Sequence, residues 1–89
     1  MGKADTPNPR RQLRRAQGRR LRQAREAAGL TLAELVHQLR LQGVKISPQA
    51  ISQWERGETS PRPELRDAVC RMVGADPSVV FAADVEDGQ

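Results

Sequence analysis

The chain is poor in the residues that most often announce chemistry. Its 89 residues include one cysteine, one histidine, one tryptophan, one phenylalanine and no tyrosine. A lone Cys70 cannot form an internal disulfide, and with His37 it cannot fill the four ligand places of a structural zinc, so no metal and no cofactor is expected. No apolar stretch approaches the roughly 20 residues needed to cross a bilayer, and the N-terminus lacks the apolar segment of a secretion signal. The expectation is a cytoplasmic protein without membrane association. Trp54 and Phe81 are too few for the aromatic platform on which single-stranded nucleic acids stack. A domain this small buries only about 60 to 65% of its unfolded surface. No nucleophile, base and orienting group can be assembled, so an enzyme is the weakest reading.

What the chain does have is arginine, thirteen against two lysines, unevenly spread. Residues 1–25 carry Lys3 and eight arginines against the single acid Asp5, whereas residues 26–89 hold six basic and ten acidic groups. Residues 1–16 read as a basic, largely flexible arm, residues 17–82 as the folded domain and residues 83–89 as an acidic tail. Arg10, Arg11, Arg14, Arg15 and Arg19 make the front end attractive to polyanions, of which nucleic acid is the commonest. A merely solubilising tail is the alternative.

Periodicity and caps predict five short helices and no strand, an all-α domain. Leu21, Ala24, Arg25 and Ala28 follow helical spacing from about Gln17 to Ala28, with Gly29 closing the helix. Leu13 and Ala16 could carry it back toward Arg10, but Gly18 weakens that extension. Thr31 and Glu34 have the spacing of a capping box, followed by Leu32, Leu35, Val36 and Leu39 up to Leu41 or Gln42. Ser47, Pro48 and the Ile46/Ile51 staple start a third helix that ends near Arg56 and Gly57. A fourth covers about Pro63 to Val73, and Asp76 with Pro77 starts a last one bearing Val79, Val80 and Phe81.

Two charges interrupt the inward faces. Arg25 lies on the apolar stripe of the first helix, and Glu55 follows Ile51 by one helical turn. Burying either alone costs several kcal/mol, which a bidentate pair largely removes; the alternative is that both splay to solvent. With Ile51 and Glu55 inward, Gln49, Ser52, Gln53 and Arg56 face out. Glutamine offers a donor and an acceptor together, matching the adenine edge in the major groove. A plain polar surface would look the same from this helix alone.

Context favours base reading. The segments GRRLRQAREAAGLTLAELVHQL, AISQWERGETSP and RDAVCRMVGADPSVVF together resemble the helix-turn-helix domain of the Cro and phage-repressor family, over residues 18–82. The resemblance implies a compact five-helix domain with Gln49, Ser52 and Gln53 at base edges and Arg25 and Glu55 as its internal ion pair. It places Thr31, Ser47, Arg56, Thr59 and Ser60 at phosphates. There are two departures. Leu32 stands where relatives carry a phosphate-clamping glutamine. Between Leu39 and Ile51 the chain has about five residues more than the family's tight turn, which implies a lengthened second helix or turn, with Arg40 and Lys45 as added backbone contacts.

The function implied is a sequence-specific, double-stranded DNA-binding transcriptional regulator, a repressor of phage or bacterial type, binding as a homodimer. Phe81, Val80 and the fourth helix are candidates for the dimer surface. The alternative is an antitoxin-like module that holds a small protein partner. Trp54 is read as packing at the domain edge, His37 as exposed and Cys70 as a small structural residue.

Overall fold

The computed structural model describes residues 9–83, which form five α-helices and, among the described residues, no strand. They are α1 (Pro9–Ala27), α2 (Leu32–Leu41), α3 (Pro48–Glu55), α4 (Pro63–Val73) and α5 (Pro77–Val80). The all-α, five-helix expectation is what the structure shows. Lys3 and the rest of residues 1–8, and the acidic tail from residue 84 onward, lie outside the described residues.

The largest difference from the sequence expectation is at the front. Residues 9–16, expected in a flexible arm, are the first turns of a 19-residue helix. Arginine, glutamine, leucine and alanine are all good helix formers, and Ala16 and Gln17 continue the buried side of α1 back from Leu21. Gly18, expected to weaken the helix, has a packing role instead. A Cβ there would collide with the backbone carbonyl oxygens of Trp54 and Glu55, so its absence lets α1 lie directly against the end of α3. At the other end α1 stops at Ala27, which leaves Ala28 exposed rather than on the core stripe.

Local chemistry starts α2 and α3. The Thr31 hydroxyl accepts from Glu34 N at 3.1 Å while Thr31 N donates to the Glu34 carboxylate at 2.8 Å. Ser47 Oγ accepts from Ala50 N at 3.1 Å, with Pro48 at the first helical position. The extra residues of the connector lie between these helices and are pinned. Gly43 turns the chain with φ 83°, Val44 N donates to Leu39 O at 2.9 Å, and Val44 and Ile46 pack on the core while Lys45 between them is exposed.

The core draws on all five helices. Leu21, Leu35, Leu39, Ile51, Val69 and Cys70 are fully buried, joined by Val36, Trp54, Val73, Val80 and Phe81. Trp54 is thus a core residue, and the burial of Val80 and Phe81 removes them as dimer-surface candidates; Val79 on the same short helix is 60% exposed. The end of α5 is capped from α1. Gln17 Nε2 donates to Phe81 O at 3.2 Å and Ala82 O at 3.1 Å, and Arg20 donates to Val80 O at 3.0 Å and Ala82 O at 3.3 Å. Val80 and Phe81 are at the helix C-terminus, where carbonyls lack internal partners, and Ala82 follows directly. Arg66 lies over the Phe81 ring, 5.1 Å from its centroid.

Two expectations follow from this packing. Gly18→Ala forces α1 off α3 and should lower stability by about 1–3 kcal/mol, read as a shifted denaturant midpoint; an unshifted midpoint would deny the close approach. Burial and the neighbouring Asp67 and Asp76 charges push the Cys70 thiol up to about 11. A thiol reagent should therefore modify the native protein only as fast as it opens, and rapid labelling below pH 9 would contradict that burial.

Candidate nucleic-acid interface

The interface is built on the rotation of α3 about its own axis. Ile51 and Trp54 are buried, and Glu55 turns toward α1. Arg25 meets it as a fork: Nε donates to Oε2 at 2.7 Å, Nη2 to Oε1 at 3.0 Å, and Nη1 to Leu30 O at 2.8 Å. The two side chains are 11% and 7% exposed. Hydrogen bonding to Glu55 raises the pKa of Arg25 above its ordinary value, outweighing desolvation. Among the described residues no buried side-chain nitrogen or oxygen lacks a hydrogen-bond partner.

With that side of α3 turned inward, Gln49 and Arg56 are exposed and Ser52 and Gln53 half-buried. The structure joins two of them: Arg56 Nη1 donates to Ser52 Oγ at 2.6 Å. Arg56 also forks onto Glu58, Nε to Oε2 at 2.9 Å and Nη2 to Oε1 at 3.2 Å. Those bonds raise the Arg56 pKa and lower that of Glu58. The pair is solvent-exposed, at 55% and 53%.

The other candidates are spread around this helix. Thr31 and Ser47 sit at the N-terminal caps of α2 and α3, each with its side-chain oxygen accepting a backbone N–H. Arg40 and Lys45 are exposed at the end of α2 and in the connector, and Thr59 and Ser60 are exposed beyond α3. Arg14 reaches the turn after α3, its Nε donating to Gly57 O at 3.1 Å. Arg10 and Arg14 share a groove with Ser60, and Arg11, Arg14 and Arg15 share another with Arg56. Arg15 and Arg19 line a third flank of α1 with Gln12 and Ala16. Glu58 and Arg22 also line the groove with Arg56; sequence places Arg22 only in the basic front end and does not single out Glu58. Glu58 lies past the helix end, where periodicity carries no information. Arg22 belongs to a stripe with Arg11 and Arg15 that emerges only once α1 is run back to Pro9.

Residues 16–81 match a family model described as a helix-turn-helix domain. The chain belongs to the helix-turn-helix family. The family is close to the Cro and phage-repressor type. The crystal structure of ClgR, the clp gene regulator from C. glutamicum, is similar to this chain at a TM-score of 0.69 and 37% identity, covering 89% of this chain and 90% of that one. A search of curated proteins finds no match.

The pair that orients α3 yields a test. Glu55→Ala leaves the Arg25 guanidinium without its carboxylate in a nearly closed site, and should destabilise the helix-turn-helix domain by roughly 3 kcal/mol or more. Chemical denaturation measures this; a midpoint equal to wild type would show that the fork does not hold α3.

Proposed function

We propose that this helix-turn-helix protein is a sequence-specific, double-stranded DNA-binding transcriptional regulator acting in the cytoplasm of a bacterium or from a phage. The observation that carries the reading is the outward side of α3, where Gln49, Ser52 and Gln53 stand opposite the anchored Ile51, Trp54 and Glu55. Amide side chains match base edges in the major groove, which admits one α-helix. The likeness to a gene regulator at 37% identity supports the same reading.

In this reading Gln49, Ser52 and Gln53 contact bases. Thr31, Arg40, Lys45, Ser47, Arg56, Thr59 and Ser60 contact the backbone, setting register rather than sequence. The helical front of α1 brings Arg10, Arg11, Arg14, Arg15 and Arg19 to the duplex on a rigid element. The regulator acts as a repressor, by occupying its site, and binds as a homodimer on half-sites about one helical turn, roughly 34 Å, apart. A second reading, an antitoxin-like module holding a small protein, draws on Leu41 and Val79, large apolar side chains left 65% and 60% exposed. A stable complex with a second small protein, lost on Leu41→Ser or Val79→Ser, would favour it.

Gln49→Ala or Gln53→Ala should each weaken binding to a selected duplex by about 1–3 kcal/mol and change binding to random duplex little. Equal losses on both, measured by fluorescence anisotropy, would remove these residues from base reading.

A further inference from the structure

Between the front turns of α1 and the turn that leaves α3 runs an open groove lined by five arginines, Arg11, Arg14, Arg15, Arg22 and Arg56, of which Arg22 donates to the Glu26 carboxylate one turn along α1 at 3.0 Å. Its walls are locked together. Gly57 has φ 76° and lies so close to α1 that a Cβ would come within 2.8 Å of the Arg15 backbone, and Arg14 Nε donates to the Gly57 carbonyl. Two carboxylates also line it, and they differ in what they do. Both oxygens of Glu55 are held by Arg25, on the nearly closed side. Glu58 sits in solvent and holds Arg56 through two parallel N–H···O bonds.

That fork is the geometry in which a guanidinium binds two non-bridging oxygens of a phosphate. An exposed pair of this kind is weak and exchanges readily. Arg56 is also tied to Ser52 on the outward side of α3, so the groove is continuous with the side assigned to bases.

We propose that this groove is a backbone-phosphate site for the duplex, flanking the bases read by α3, in which Glu58 stands where the phosphate goes. In the free protein Glu58 holds the Arg56 fork in place. A phosphate entering between Arg15 and Arg56 displaces the Glu58 carboxylate into water and takes over both N–H donors. The proposal rests on the DNA-binding reading above and adds a site, a residue outside that reading (Glu58) and a direction of effect: an acid whose removal strengthens binding.

The test uses the full chain, with anisotropy on a selected and a random duplex over a range of salt. Glu58→Gln should tighten binding to both duplexes by about two- to fivefold, the scale of an exposed ion pair. Glu64→Gln, on α4 outside the groove, removes the same charge and should do markedly less. Arg15→Gln should weaken both and reduce the log–log salt slope by about 0.9, one phosphate contact, with thermal unfolding unchanged. The Arg56 Nε–H resonance should shift with duplex and stay put with millimolar inorganic phosphate. A gain for Glu58→Gln no larger than for Glu64→Gln, or an unaltered slope for Arg15→Gln, overturns the groove while leaving sequence-specific binding by wild type intact. A matching shift with inorganic phosphate alone would make it a site for free phosphate and overturn the backbone assignment. A wild-type protein that binds no duplex removes the functional reading, and the groove proposal with it.

Discussion

The Arg25–Glu55 fork is the interaction on which the outward chemistry depends. It joins the end of α3 to α1 in a place nearly closed to water, where either charge alone is costly. Close beside it, Gly18 meets the Trp54 and Glu55 carbonyls, so the two helices touch through backbone. In this eight-residue helix the fork acts together with Ile51 and Trp54, both in the core, to hold its rotation. Fixing Glu55 inward along with Ile51 and Trp54 leaves only one direction for Gln49, Ser52, Gln53 and Arg56. The polar side is thus a consequence of how the charged one is buried.

The same helix does more than anchor α3. Through Gln17 and Arg20 it holds the carbonyls at the end of α5, and through Arg14 it holds the turn at Gly57. Two kinds of arginine stand on this helix. Arg14, Arg20 and Arg25 bind backbone or carboxylate and give the domain its shape. Arg15 and Arg19 are exposed on the surface of the same rigid element. A basic front end of this construction offers charge at fixed positions, and this distinguishes it from a flexible arm.

Much of the fold was legible because its signals are local. Thr31 with Glu34, and Ser47 with Pro48, fix two helix starts within a few residues. Arg25 and Glu55 drew attention as charges on apolar stripes. The start of α1 was not legible, because an arginine-rich stretch has almost no apolar period and Gly18 reads as a breaker until the carbonyls opposite it are known. The bonds from Gln17 to Phe81 and Ala82 span more than sixty residues, and no spacing rule reaches that far. At the interface, sequence could separate outward from inward on α3. It could not see Arg56 turn back on Glu58, since the turn at Gly57 breaks the periodicity that relates neighbours. The longer connector is held by Val44 and Ile46, which pack on the core.

In the proposed function, the outward side of α3 reads base sequence in duplex DNA. Repeated selection of bound duplexes from a random pool tests it most directly. Expected are enrichment of a short motif, in two inverted copies about one helical turn apart, and a base preference changed from that of wild type when the selection is repeated with Gln53→Ala. A pool that stays random while the protein binds it, or a Gln53→Ala motif identical to that of wild type, would refute base reading by α3.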